Sequence, residues 1–156
     1  EVLIHRQSIV HSMVQYVDGS IIAQLSEPDM RGAIGYALYY PTRKENNSEK
    51  LDLSSTGSLT FTRPDIKKFP ALRLADEVMS LGGLYGAVLN AAKEIALDRF
   101  ISGEIGFLQM ADLVKIILGD PNIRFAGEKK DYSLDDMVYV DGLVRRIALK
   151  TKMNNY

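Results

Sequence analysis

The run of hydrophobic and polar positions divides the chain into three regions. In the first, Ser8 to Val17 is rich in β-branched residues, Asp18-Gly19 follows directly, and Ser20 to Leu25 comes next. Asp-Gly between two apolar runs predicts a β-hairpin closed by a type I′ turn, which needs positive φ at both central residues. Period-two counting puts Ile9, His11, Met13, Gln15 and Val17 on one face and Ser8, Val10, Ser12, Val14 and Tyr16 on the other. Both faces mix apolar and polar residues, so the sheet is expected to be covered on both sides in the whole protein. Glu1-Val2-Leu3-Ile4-His5 also reads as a strand. A domain seldom opens inside a strand, so a piece of a longer protein, lacking its N-terminal part, is expected.

Ser26-Glu27-Pro28-Asp29 reads as a helix start, with Pro28 in the first turn and Asp29 complementing the helix dipole. Met30, Ile34, Ala37 and Leu38 then form one stripe, and the helix is expected to end before Pro41. On periodicity alone, Met30 is a residue of the helix core. From Pro41 to Gly57 the periodicity disappears into a polar, turn-rich stretch, the pattern of a connector between domains. Ser58 to Phe61 reads as a short strand and Arg63-Pro64-Asp65 as a turn.

From about Lys67 the spacing is helical. Ala71 to Leu81 carries Leu72, Ala75, Val78 and Met79 on one face and is stopped by Gly82-Gly83. Tyr85 to Ser102 carries Val88, Leu89, Ala92, Ile95, Ala96 and Arg99 and is stopped by Gly103. Phe107 to Leu118 carries Met110, Leu113, Val114 and Ile117 and is stopped by Gly119-Asp120-Pro121. A last segment starts at Ser133, a good N-cap, and runs to about Lys152 with a break expected near Asp141. Four helices with short loops make a small bundle. The expected fold class is therefore α+β: a β-hairpin and one helix over residues 1–41, a connector over 42–66, and a C-terminal helical bundle over 67–156.

Composition narrows the possible chemistry. The 156 residues carry 19 Lys and Arg against 20 Asp and Glu, a net charge of −1, which supplies no electrostatic footprint for nucleic acid or an anionic membrane. No apolar run approaches the roughly 20 residues that a bilayer span needs. There is no Cys, which excludes disulfides, thiol catalysis and Cys-ligated metal sites. His5 and His11 are the only imidazoles, and their separation does not match a metal-ligand pair on a helix. A His among Ile and Met on a strand is either a structural residue or a ligand contact, and pattern alone leaves both readings open. No Gly-rich phosphate-binding loop is present; Gly82-Gly83 and Gly86 join two helices and read as a cap and a close packing point. Glu94 and Asp98, with Arg99 beside them, read as a solvated helix face.

The residues themselves carry a resemblance. Ile4-His5-Arg6-Gln7-Ser8-Ile9-Val10-His11-Ser12-Met13-Val14, Asp18-Gly19-Ser20, Ala23-Gln24-Leu25 and Glu27-Pro28-Asp29-Met30-Arg31 closely resemble the 1-deoxy-D-xylulose 5-phosphate reductoisomerase family. The similarity continues in order through Leu59-Thr60-Phe61, Pro64-Asp65, Phe69 to Ala75, Ala87 to Ala92 and Ile105-Gly106-Phe107. Arg6 and Lys93 depart from the usual Pro and Asn, at positions to which the family assigns no chemistry.

The resemblance implies the end of a catalytic domain, a connector and a C-terminal helical domain. It implies an NADPH-dependent enzyme that rearranges and reduces a sugar phosphate to 2-C-methyl-D-erythritol 4-phosphate in non-mevalonate isoprenoid biosynthesis. A divalent cation, Mg²⁺ or Mn²⁺, acts in that reaction, and the family is dimeric. The implied setting is the bacterial cytoplasm or a plastid-type organelle. Of the site residues, it implies that His11 lines the substrate region and that Pro28 and Met30 lie near the nicotinamide ring. The cofactor, metal and phosphate motifs would lie upstream of Glu1, so the chain alone is expected to bind none of these groups and to be inactive. A non-catalytic structural or dimerisation module is the competing expectation.

Overall fold

A computed structural model describes residues 1–153; residues 154–156 of the expected bundle lie outside the described residues. Two compact units follow one another, Glu1–Pro64 and Asp65–Tyr156. The architecture is α+β: a two-stranded antiparallel sheet followed by helices.

In the first unit, β1 (Val10–Gln15) pairs with β2 (Ile21–Leu25). The hairpin is present, but its turn differs from the expected type. Gly19 N donates to Tyr16 O at 3.0 Å and Tyr16 N to Ser20 O at 2.9 Å, and only Gly19, at φ 86°, is left-handed. The turn is therefore an ordinary turn over residues 16–19 closed by a left-handed Gly, which pairs Gln15 with Ile21. Asp18 avoids positive φ and spends its carboxylate on the Ser20 amide and hydroxyl, at 2.9 and 2.6 Å. Glu1 to His5 is not a strand; Ile4 alone makes a bridge, to Thr62. The expected strand Ser58 to Phe61 does not form; the bridge residue is Thr62, one position beyond it. Side chains complete the join: Gln7 receives the Thr60 hydroxyl at 3.0 Å and donates to Ser58 O at 3.2 Å.

Helix α1 (Met30–Tyr39) is capped by Asp29, so Pro28 sits one residue outside the cap rather than in the first turn. None of its residues is buried. The polar stretch beyond Pro41 folds back over its end, with the Arg43 guanidinium 4.1 Å from the Tyr36 ring and Lys44 Nζ 4.4 Å from Tyr39. One helical turn, α2 (Leu53–Thr56), interrupts the irregular segment.

The second unit holds α3 (Pro70–Leu81), α4 (Tyr85–Ile101), α5 (Phe107–Gly119), α6 (Pro121–Gly127) and α7 (Leu134–Lys150). Its core gathers Val88, Ala92, Ile95, Leu113, Ile117 and Val144. In α3 the buried residues are Leu74 and Val78, whereas Met79 is exposed, so the inward stripe is rotated from the expected one. Gly119 does not stop α5; Asp120 ends it and caps α6, which Pro121 opens. Pro at a first helical position starts a helix as readily as it ends one. Helix α7 is unbroken at Asp141, whose carboxylate meets Arg145 one turn on at 2.7 Å.

Candidate functional site

A β-bulge places the only histidine of β1. Val10 pairs with Leu25 and Ser12 with Gln24, so two steps on β1 face one step on β2 and His11 is the extra residue. A bulge breaks strict alternation and re-aims the side chain it carries. Val10, His11, Ser12 and Met13 all line one open cavity of about 460 Å³. His11 Nε2 lies 3.2 Å from the Ser26 carbonyl oxygen. A carbonyl can only accept, so Nε2 carries the hydrogen, and in that tautomer Nδ1 is the acceptor.

His5 and Phe61 line the same cavity, stacked with ring centroids 4.7 Å apart and planes inclined by 18°. His5 Nδ1 donates to Thr60 O at 2.9 Å, while its Nε2 is buried without a hydrogen-bond partner. Phe61 lies 56 positions beyond His5 in sequence, and no local pattern links them. The pairing of residues 4–7 with 58–62 brings them together.

Pro28 and Met30 stand on either side of the α1 cap. Asp29 Oδ1 accepts from Arg31 N at 2.8 Å, and both its oxygens accept from Arg31 Nε, at 3.0 and 2.8 Å. The Arg31 side chain, then its backbone amide, holds the Asp29 carboxyl at about 2 against an ordinary 3.8. Pro28 is exposed, and Met30 is 69% exposed, so this chain gives Met30 no core position. Neither lines the cavity beside His11. What joins the two candidate regions is Ser26: its carbonyl receives His11, and its amide donates to Ile9 O at 3.1 Å.

Elsewhere, Glu94 on α4 has structural partners. Glu94 meets Arg145 at 2.6 Å and Asn90 at 2.9 Å, and the Arg145 side chain lowers its carboxyl below the ordinary range. Among the described residues no group of three or more His, Asp or Glu is arranged to hold a metal ion. The residues present therefore do not fit a divalent cation. Pro28 and Met30 leave exposed apolar surface at the start of α1.

Residues 25–147 match the family model for the DXP reductoisomerase C-terminal domain. This chain belongs to the 1-deoxy-D-xylulose 5-phosphate reductoisomerase family. The family member from Sinorhizobium medicae strain WSM419 is 51% identical over 148 residues, covering 95% of this chain and 37% of that protein. The one from Acetivibrio thermocellus is 49% identical over 148 residues, covering 95% of this chain and 38% of its own length. Among solved structures, the Zymomonas mobilis reductoisomerase in complex with NADPH aligns with TM-score 0.81 and 42% identity, over 96% of this chain and 38% of that one. A reductoisomerase in complex with NADPH, fosmidomycin and magnesium aligns with TM-score 0.85 and 40% identity, over 94% of this chain and 37% of that one. The chain thus spans little more than a third of the length of these relatives. Among the described residues no helix is long and apolar enough to cross a membrane.

Proposed function

We propose that this chain is the C-terminal part of an NADPH-dependent reductoisomerase that converts 1-deoxy-D-xylulose 5-phosphate to 2-C-methyl-D-erythritol 4-phosphate, in a bacterial cytoplasm or plastid-type organelle. Residues 1–41 would close the catalytic domain, 42–66 connect, and 67–156 form the helical domain. The observation that carries this reading is the match to the NADPH complex from Zymomonas mobilis over 96% of this chain. NADPH, when bound, supplies the hydride.

The chain's own residues orient and shield. His11 offers Nδ1 as an acceptor to a hydroxyl of the sugar phosphate while Nε2 is held by Ser26 O. Pro28 and Met30 offer an apolar wall that excludes water from one face of the nicotinamide ring. The divalent cation, Mg²⁺ or Mn²⁺, would be held by groups outside this chain, since the described residues form no set for it.

The test is NADPH oxidation with 1-deoxy-D-xylulose 5-phosphate and Mg²⁺ or Mn²⁺. The chain alone is expected to show no turnover, and the full-length enzyme to show it. Turnover by the chain alone at an ordinary enzymatic rate of ~1–10³ s⁻¹ would refute the claim that essential groups lie outside it.

A second reading, a structural or homodimerisation module, is favoured by the sheet itself. Among the described residues the sheet has two strands, so β1 and β2 each keep an unpaired edge, and Val14, Ile21 and Ile22 are exposed on them. Unpaired edges with apolar side chains invite pairing with a second copy.

A further inference from the structure

We propose that His11 is a positioning residue for the segment that presents Pro28 and Met30. The Nε2–H of His11 would fix the Ser26 carbonyl, and through it the placement of Met30 against reduced nicotinamide. This rests on the reading above that Met30 packs on that ring.

Three observations converge on the role. The bulge makes His11 the one residue of β1 outside the regular ladder, which frees its ring from strict alternation. Its Nε2 then reaches the carbonyl of Ser26, the first residue after β2, at 3.2 Å. From the other side the Ser26 amide donates to Ile9 O at 3.1 Å, so both polar backbone groups of Ser26 are tied to residues flanking or forming the bulge. Ser26 is followed by only two residues before the Asp29 cap, and Asp29 N closes that short path on Glu27 O at 2.7 Å. The path from Ser26 to Met30 is thus tight and short, and a shift at Ser26 passes to the start of α1. Without the His11 donor, Ser26 would be tied to the β1 side through its amide alone, since its hydroxyl meets only Gln24 and the Glu27 carbonyl, at 3.4 and 3.1 Å. Met30 itself is 69% exposed, so packing within this chain does not hold its side chain in place.

The alternative is that His11 only touches the sugar phosphate. The two roles separate in NADPH binding to the full-length enzyme, measured by fluorescence titration without substrate. His11→Ala is expected to raise the NADPH Kd about fivefold, the loss of roughly one hydrogen bond. His11→Phe keeps a ring but lacks the donor and should do the same. His11→Gln, whose amide can reach Ser26 O, should stay within about twofold of the parent. In a Met30→Ala background, the effect of His11→Ala should shrink below about twofold, because residues acting through one another are not additive.

Amide exchange over residues 24–30 of the cofactor-free enzyme should be faster in His11→Ala and His11→Phe and normal in His11→Gln. An unchanged NADPH Kd in His11→Ala and His11→Phe, or full effects that multiply in the double variant, would overturn the positioning role alone. An unchanged Kd in Met30→Ala would overturn the nicotinamide reading of Met30 and the positioning role with it.

Discussion

At the scale of single residues, chemistry here is set by what each polar group is tied to. Arg99 falls on the apolar stripe of α4 and is only 8% exposed. It is tolerated because Nη1 donates to Ala148 O and Thr151 O, at 2.8 and 2.9 Å, and Nε meets Glu104 at 3.1 Å. A cation placed on the last carbonyls of α7 satisfies both the buried charge and the helix end. Two helix starts depend on ionised carboxylates in a comparable way. Asp29 is held at about 2 by Arg31, and Asp136 at about 2 by Lys129 and the Ser133 backbone and hydroxyl, against an ordinary 3.8 for each. A folded value below the unfolded one gives stability that is present above the ordinary value and is lost as pH falls through the folded one. Both helix starts should therefore loosen between pH 3.8 and about 2. An NMR titration of the side-chain carboxyls should find both midpoints near 2. Arg31→Ala should move the Asp29 midpoint up toward 3.8 and leave Asp136 where it is.

At the scale of elements, the junctions decide more than the helices do. Gly83, between α3 and α4, has φ 57°, and a Cβ there would lie 2.6 Å from Gly127 O and 2.9 Å from Lys129 O, both backbone atoms. The close packing point expected at the glycines is therefore at Gly83. Gly86 has open space around it. Leu84 N donates to Gly127 O at 3.0 Å, so this junction joins the start of α4 to the end of α6. Gly83→Ala should cost ~2–4 kcal/mol, since it adds a left-handed strain to a backbone clash. Gly86→Ala should be neutral or slightly stabilising, by up to ~1 kcal/mol, because Ala is the better helix residue. Urea unfolding of both variants checks the contrast, and equal midpoints would contradict it.

At the scale of the whole molecule, apolar burial is concentrated in the second unit. Of the hydrophobic residues that are buried, Ile9 is the one that precedes residue 65; the rest run from Leu74 to Ala148. About 90 residues with one shared core can hold together alone, while the first unit has too little buried surface to do so. Limited proteolysis should therefore cut first between Thr42 and Gly57, a stretch with one helical turn and mostly exposed side chains, and leave a resistant C-terminal piece. Equal resistance of that stretch and the bundle would contradict this. The exposed strand edges lead to a second expectation, a mass above 17.4 kDa that rises with concentration on sizing. A strictly monomeric species throughout would count against self-association.

What the sequence determined by itself is what nearest neighbours along the chain control. The helical spacings and caps placed α3, α4, α5 and α7 to within a residue or two, because an amphipathic period and a Ser, Pro or Gly at an end act locally. The ordered motifs around His11 and Pro28-Asp29-Met30 were sufficient to name the family. Tertiary structure decided what local preference leaves degenerate. Asp-Gly can close more than one turn, and the pairing of Gln15 with Ile21 chose between them. Asp120-Pro121 can end a helix or begin one, and the burial of Ile123 favoured a beginning. Strict alternation cannot foresee a bulge, so the link from His11 to Ser26 was invisible to it. The stacking of His5 on Phe61 spans 56 positions, and no periodicity reaches that far. These contacts bring together groups that neighbouring residues do not constrain, so only the folded chain could fix them.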